Sequence, residues 1–96
     1  MKLPDEELDE LLRALSHRER RMFLRLCWDE PVAAGDLAER STLSLATVSE
    51  HLKVLRKTGL VTLEKDGRFW RYKADPRRIE AVLASLGRWR GSVNGT

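Results

Sequence analysis

The chain has 96 residues, a net charge of +3 and a single cysteine, Cys27. This length predicts one small domain, and a lone cysteine excludes an intramolecular disulfide framework and fits a reducing, cytoplasmic setting. No run of about 18 apolar residues is present, which argues against a membrane span, and the acidic N-terminus lacks the apolar segment of a secretory signal.

Charge is distributed unevenly along the chain. Residues 1–10 contain five acids and one base, whereas residues 53–78 contain nine bases and three acids. A basic face directed at a polyanion such as nucleic acid would explain this segregation. Charge clusters are more often ordinary solvated surface, so the charge alone does not decide the function.

The first predicted element is an amphipathic helix that begins at Pro4 or Asp5. Acidic residues fill its first turn, where the helix dipole favours negative charge. Its apolar residues recur at the i, i+3, i+4, i+7 spacing of one helix face. They are Leu8, Leu11, Leu12 and Leu15.

A second helix is predicted from about His17 to Trp28. Ser16 followed by Glu19 has the spacing of a capping box, which satisfies free backbone N–H groups at a helix start. Apolar residues nearly surround the C-terminal half of this segment, so we expect it to be the central helix of the core. Cys27 lies in that apolar run, which favours a buried structural cysteine over a redox-active one.

Residues 34–60 predict two short helices joined by a tight polar turn, after a brief edge strand at Val32-Ala33. Ser44 is a favourable N-cap for the second helix, because its hydroxyl accepts from the free N–H groups of the first turn. Gly59 can adopt the left-handed conformation that ends a helix. The apolar stripe between them is Val48, Leu52 and Leu55. This arrangement is a helix-turn-helix.

After Gly59 the apolar period changes to the two-residue repeat of a strand. Two alternating segments, residues 60–65 and 68–73, flank Asp66-Gly67, which is a strong hairpin signal. A two-residue turn there pairs residue 65 with 68, 63 with 70 and 61 with 72. The face expected to pack on the helices then consists of Val61, Leu63, Trp70 and Tyr72.

Asp75-Pro76 predicts the N-cap and first residue of a last helix. Residues 91–96 show no pattern and predict a flexible tail. The predicted fold is therefore mainly α with a small antiparallel β-hairpin, in the order α-α-(β)-α-α-β-β-α. We expect residues 1–90 to form a single winged helix-turn-helix domain.

Two segments resemble the ArsR/SmtB family of small dimeric bacterial and archaeal transcription repressors. They are T-V-S-x-H-L-K-V-L-R-x-x-G-L-V from Thr47 to Val61 and D-G-R-x-x-x-Y from Asp66 to Tyr72. The resemblance covers about residues 12–90 and implies DNA binding by a winged helix-turn-helix dimer. The chain departs from the family pattern at residues 16–19, where Asp-Pro-Thr-Arg is usual, and at Leu45, Ala46 and Glu50. The preferred DNA sequence therefore cannot be carried over.

The metal ligands of the resembled family are absent. Its metal sensors use Cys-x-Cys near the third helix, or Asp-x-His and His-x-x-Glu in the last helix. Residues 32–37 of this chain contain no cysteine, and Arg77 stands where a ligand histidine would lie. Because a transition metal needs three or four suitable donors, we predict no metal and no cofactor. The inducing signal stays open between an unidentified non-metal effector, Cys27 chemistry and none.

The candidate DNA-binding residues lie on the recognition helix, about residues 44–58, and on the wing, about residues 61–73. Short polar side chains near the start of such a helix are expected at base edges, and basic side chains at phosphates. The set is Ser44, Ala46, Thr47, Ser49, Glu50, His51, Lys53, Arg56, Lys57, Lys65 and Arg68. Their simpler interpretation as solvated surface is less favoured, because a basic wing adjoins them.

The two terminal helices carry more apolar surface than a core this small needs, which indicates an interaction site. In the resembled family they form a two-fold dimer interface. The predicted interface residues are Leu8, Leu11, Leu12, Leu15, Ile79, Val82, Leu83, Leu86 and Trp89. A homodimer would also let two recognition helices read both halves of a palindrome.

The sequence therefore predicts a cytoplasmic, homodimeric transcription regulator that binds double-stranded DNA, with a repressor acting on a palindromic operator as the leading hypothesis. No membrane partner is expected. The alternative is a winged-helix module for protein–protein interaction without cognate DNA, against which the charge of the wing argues. An enzyme is disfavoured, because the sequence holds no paired carboxylates on one face and no nucleophile–base set.

Overall fold

The computed structural model describes residues 3–94 as five helices and three strands. The helices are α1 (Asp5–Leu15), α2 (Arg18–Leu26), α3 (Ala34–Glu39), α4 (Leu45–Lys57) and α5 (Pro76–Asn94). The strands are β1 (Val32–Ala33), β2 (Val61–Asp66) and β3 (Phe69–Ala74). This order confirms the predicted winged helix-turn-helix, including the short edge strand. Within the described residues, no helix combines the length and apolarity needed to cross a membrane.

The core lies where the inner faces of α1, α2, α3 and α4 meet the base of the hairpin. Its largest fully buried side chains are Leu11, Phe23, Leu37, Leu52, Leu55 and Leu60. Phe23 of α2 is at its centre, as expected for the central helix. Cys27 is completely buried beside it, and burial raises the pKa of its thiol. The thiol therefore stays protonated at neutral pH, which agrees with a structural cysteine.

The three strands form one antiparallel sheet in the order β1-β3-β2. The predicted hairpin register is wrong by two residues, because Lys65 pairs with Trp70, and Leu63 pairs with Tyr72. The turn residues are 67 and 68 rather than 66 and 67. Gly67 has φ of +62°, and it occupies the first central position, which is the glycine position of a type II′ turn. A shift of two residues leaves the face of each side chain unchanged.

The hairpin packs on the helices only at its base, so the packing predicted for Trp70 is wrong. Val61 and Ala74 are buried, whereas Trp70 near the tip is 54% exposed. A six-residue strand is about 20 Å long, and its outer half extends past the helices. Lys65 Nζ lies 5.8 Å from the centre of the Trp70 ring and covers part of it.

The capping box predicted from Ser16 and Glu19 does not form. The Ser16 hydroxyl donates to Arg13 O at 2.6 Å and ends α1, and Ser16 has the helical backbone angles of a C-cap. An N-cap needs an extended backbone, which His17 supplies without a side-chain bond. Glu19 accepts instead from Ser41 Oγ at 3.1 Å. It thereby ties α2 to the turn between α3 and α4.

Asp75 caps α5 as predicted, since its carboxylate accepts from the backbone N–H of Arg77 at 3.1 Å. The helix continues to Asn94, four residues beyond the boundary predicted at residue 90. Gly91 disfavours a helix by only about 1 kcal/mol and no proline follows, so the helix need not stop there. The tail predicted for residues 91–96 is helical through Asn94, and residues 95 and 96 lie outside the described residues.

Candidate nucleic-acid interface

The buried stripe of α4 fixes which side chains face outward. Val48, Leu52 and Leu55 are at most 2% exposed, as the sequence predicts. His51 and Val54 on one flank are half-buried, whereas the opposite face is exposed. The candidate residues found there are Ser44, Ala46, Thr47, Ser49, Glu50, Lys53, Arg56 and Lys57. The helix therefore presents a continuous polar and basic surface, while its other side anchors it in the core.

The start of α4 is held by a side-chain cap. Ser44 Oγ accepts from Thr47 N at 3.2 Å, and the hydroxyls of the two residues lie 2.9 Å apart. The preceding turn is fixed too, because Leu43 N donates to Ser41 Oγ at 3.0 Å. Ser41 in turn donates to Glu19 of α2. These bonds fix the position of the exposed first turn of α4. The start of a helix has free N–H groups and the positive end of the helix dipole, which suit a phosphate.

The end of α4 connects rigidly to the wing. The backbone N–H of Gly59 donates to Arg56 O at 3.0 Å, and that of Leu60 donates to Leu55 O at 2.9 Å. These two bonds, with φ of +79° at Gly59, form a Schellman motif. Leu60 is fully buried directly afterwards, and β2 starts at Val61. The position of the wing relative to α4 is therefore set by a short, buried joint.

The wing tip carries exposed cations, as predicted. Lys65 and Arg68 are both exposed, on either side of the Gly67 turn. Phe69 and Trp70 are exposed beside them. Arg71 lies 3.5 Å from Asp66 in an ion pair, so one of the wing's arginines is already engaged within the hairpin. The tip thus combines two unpaired positive charges with aromatic surface.

His51 is the one candidate of this set that is half-buried. Arg20 Nε donates to His51 Nδ1 at 3.0 Å, and the ring centres of His17 and His51 are 5.4 Å apart. Burial lowers the pKa of His51, the nearby charges of Arg20 and His17 lower it further, and Glu19 opposes them. The sequence interpretation missed Arg20, although the basic run at residues 18–21 was a visible signal.

Several basic residues near the interface have internal roles instead. Lys73 Nζ donates to Trp28 O at 2.7 Å, and Arg77 pairs with Asp75 at 3.1 Å. Arg78 forms an ion pair with Glu7 of α1. The contacts of Lys73 and Arg78 join the wing base and α5 to the rest of the domain, whereas Arg77 pairs locally and its side chain stays 87% exposed.

The predicted dimer-interface residues divide by exposure. Leu8, Leu11 and Val82 are buried within the monomer and have little surface to offer a second chain. Leu15, Ile79 and Leu86 are half-buried against the core. The exposed members are Leu12 on α1 and Leu83 and Trp89 on α5, the last two at 62%.

No metal centre is assembled in the described part of the chain. No group of three or more His, Cys, Asp or Glu side chains there is arranged to hold an ion. At the start of α5, the Asp75 carboxylate is occupied by Arg77, whose hydrogen bond lowers the pKa of Asp75.

Comparisons with known proteins agree on one class. A family model described as a helix-turn-helix domain matches residues 15–64. The transcriptional activator HlyU of Vibrio cholerae is 31% identical over 78 residues, which cover 81% of this chain and 72% of that protein. The arsenical resistance operon repressor of Staphylococcus aureus is 32% identical over 81 residues, with 84% and 78% covered.

A solved structure supports the same relation. An ArsR-like transcriptional regulator from Rhodococcus sp. RHA1 superimposes with a TM-score of 0.84 at 29% identity. The match covers 93% of this chain and 84% of the other. The similarity thus includes the outer helices and the wing as well as the helix-turn-helix.

Proposed function

This chain belongs to the ArsR family of winged helix-turn-helix transcription regulators, and we propose that it is a cytoplasmic, homodimeric repressor that binds a palindromic operator. DNA binding and transcription regulation, rather than catalysis, are the activities of this family. The observation that carries the proposal is α4, which has a buried apolar stripe on one side and an exposed polar and basic face on the other.

The chemistry of that face divides into two roles. Thr47, Ser49 and Ala46 lie in the first turns of α4, where short side chains approach base edges in the major groove. Lys53, Lys57 and the wing-tip cations are suited to phosphates, which supply affinity but no sequence information. Glu50 can accept from cytosine N4. The sequence specificity would therefore come from the first half of α4.

A homodimer is supported by the apolar surface of the outer helices. Leu83 and Trp89 are each 62% exposed on α5, and Leu12 is exposed on α1. Large apolar side chains grouped on the terminal helices of a small domain favour association with a second copy. In such a dimer the two recognition helices would meet half-sites about 10 bp apart, or a multiple of that distance.

Salt-dependent DNA binding tests the interface. In fluorescence anisotropy with labelled duplex DNA, Lys53→Gln should weaken binding to all sequences and reduce the slope of log K against log salt by about 0.9 per protomer, or about 1.8 for a dimer. Arg90→Gln removes the same charge from an exposed site on α5 and is the matched control. Absence of salt-sensitive binding by the unmodified protein would refute the proposal. Equal slopes for the two variants would remove Lys53 from the interface.

The dimer and the direction of regulation need separate measurements. Sedimentation analysis should show a dimer that Leu83→Glu dissociates, because the substitution places a charge in the apolar contact. A monomeric unmodified protein would contradict the dimer. In transcription from its own promoter, added protein should lower the transcript level. An increase would make this chain an activator, as the name of the Vibrio cholerae relative states for that protein.

A further inference from the structure

The contact between Arg20 and His51 lies at the flank of α4, beside the side chains proposed to meet DNA. We propose that Arg20 is a positioning residue that holds His51 as the neutral tautomer with its proton on Nε2, and that this N–H donates to a DNA phosphate beside the recognition helix. The phosphate contact rests on the proposed DNA interface, whereas the tautomer is a property of the free protein.

The hydrogen bond determines the tautomer. Arginine has no acceptor, so Arg20 Nε must be the donor to His51 Nδ1 at 3.0 Å. Nδ1 then carries a lone pair, and the proton of the neutral ring is on Nε2. Protonating the ring would place an N–H at Nδ1 against the N–H of Arg20. The geometry therefore favours a neutral ring with one outward donor.

Arg20 is itself fixed by the protein rather than by DNA. One guanidinium nitrogen donates to the carbonyls of Arg13 and Ala14 at 3.4 and 3.5 Å, at the end of α1. The negative end of the α1 dipole adds to this attraction. The arginine thus reaches from α2 to His51 in a set orientation.

His51 is correctly placed for a phosphate. It follows Thr47 by one turn and lies about 60° around α4 from the centre of the buried stripe, at 100° per residue. A recognition helix in the major groove has the sugar-phosphate backbones along its flanks. The hydrogen bond of the His51 ring is at Nδ1. Among the described residues, Arg71 Nε is the only fully buried side-chain nitrogen or oxygen without a partner. His51 Nε2 is therefore not fully buried and keeps access to a ligand.

Burial and the charges around the ring favour its neutral form. Arg20 and Glu19 of α2 lie near the His51 ring, and so does His17, the residue before α2. Helix α1 contributes only the carbonyls that bind Arg20. Burial and the interactions with Arg20 and His17 lower the pKa of His51 more than Glu19 raises it. A neutral donor gives a phosphate contact that does not change with mild acidification and that releases no counterion.

The tautomer can be tested on the free protein by ¹⁵N NMR of the imidazole rings. The unmodified protein should show His51 with the proton on Nε2 near neutral pH, and Arg20→Met should have a larger fraction of the Nδ1–H tautomer, because Arg20 no longer occupies the Nδ1 lone pair. Arg20→Lys, which restores a donor, should recover it. A proton on Nδ1 of the unmodified protein would overturn the inference whether or not the chain binds DNA.

The phosphate contact is tested by anisotropy with a mixed-sequence duplex of about 30 bp, long enough for two half-sites. His51→Ala should bind about tenfold more weakly near pH 7. His51→Gln should bind close to normally, because its amide nitrogen replaces Nε2. The inference fails if His51→Gln binds as weakly as His51→Ala. It also fails if both variants bind normally while Lys53→Gln is weakened, and in that case the proposed DNA-binding function still stands.

The pH profile separates positioning from a structural role. The affinity of the unmodified protein should depend on pH less than that of Arg20→Met, because the pKa of its His51 is lowered. Without the Arg20 cation the pKa of His51 rises, so Arg20→Met should bind more tightly and more salt-dependently as the pH falls and the ring becomes charged. A flat profile for a folded Arg20→Met protein would overturn the role of Arg20.

Discussion

Replacing Gly59 with alanine is expected to destabilise the joint between α4 and the wing. Gly59 has φ of +79°, and an L-residue in this left-handed region costs about 1–2 kcal/mol. An added Cβ would also lie 2.8 Å from Arg78 Nε and 3.3 Å from the adjacent guanidinium nitrogen. The Arg78 side chain must therefore move, and its ion pair with Glu7 would be disturbed.

The magnitude follows from adding the two effects. The ion pair is partly exposed, with 35% of the Arg78 side chain and 38% of the Glu7 side chain accessible, so its loss costs no more than about 1 kcal/mol. With the backbone cost, Gly59→Ala should lower the free energy of unfolding by about 1–3 kcal/mol. For a domain of this size each kcal/mol lowers the Tm by roughly 4–8 °C.

Two other glycines are controls. Gly67 has φ of +62° and no atom within 4 Å of an added Cβ, so Gly67→Ala reports the backbone cost of a type II′ turn without any steric contact. Gly35 lies in α3 with an ordinary φ and open space, and Gly35→Ala should stabilise the protein by up to about 1 kcal/mol. Urea unfolding followed by circular dichroism, at one protein concentration because association shifts stability, measures all three.

The contact with Arg78 can be isolated by repeating Gly59→Ala in an Arg78→Ala background. The cost of the alanine should fall there to the backbone cost alone, about 1–2 kcal/mol, since the contact with Arg78 is gone. The steric explanation is refuted if the cost is the same in both backgrounds. If Gly59→Ala is no more destabilising than Gly35→Ala, the left-handed cap itself is not needed.

Three further outcomes are expected. Asp75→Asn should reduce the acid sensitivity of the Tm. The hydrogen bond with Arg77 lowers the pKa of Asp75 in the folded protein. The stability that the ionised Asp75 contributes is therefore complete above the unfolded pKa of about 4, and it is lost as the pH falls through the lower pKa of the folded state. An unchanged difference between the Tm at neutral and acidic pH would contradict this. Cys27 should react with a thiol reagent only at the rate of unfolding, because it is fully buried with a raised pKa; rapid labelling of the folded protein would show otherwise. Trp70→Ala should change the Tm less than Tyr72→Ala, since Trp70 is the more exposed of the two. The reverse order would mean that Trp70 packs against the helices.

The elements that the sequence predicts best are those determined by neighbouring residues. The cap at Ser44 and the helix end at Gly59 involve atoms within a few positions, and both form as expected. Ser16 shows the limit of such patterns, because whether it starts one helix or ends another depends on how far α1 extends. Its capping-box spacing is present, but its hydroxyl is bound to the preceding helix.

Features that depend on distant residues could not be predicted. The hairpin register differs by two residues because Gly67 can occupy either central position of a two-residue turn, and the short-range pattern does not choose between them. Pairing of Val32 with Tyr72 joins β3 to β1 across forty positions. Arg20 and His51 are 31 positions apart. Their contact arises from the packing of α2 on α4, which no local spacing reveals.

The internal contacts also change the expected strength of DNA binding. Residues 53–78 contain nine bases, but four have polar partners within the chain: Arg71, Lys73, Arg77 and Arg78. The other five are exposed and form no ion pair among the described residues: Lys53, Arg56, Lys57, Lys65 and Arg68. If each of the five bases meets one phosphate, the slope of log K against log salt is about −4.5 per protomer and about −9 for a dimer. If all nine bases met phosphates, the slope for a dimer would be about −16. A measured slope near the larger value would mean that the ion pairs of α5 and the wing open on binding, or that the basic run of α2 also reaches DNA.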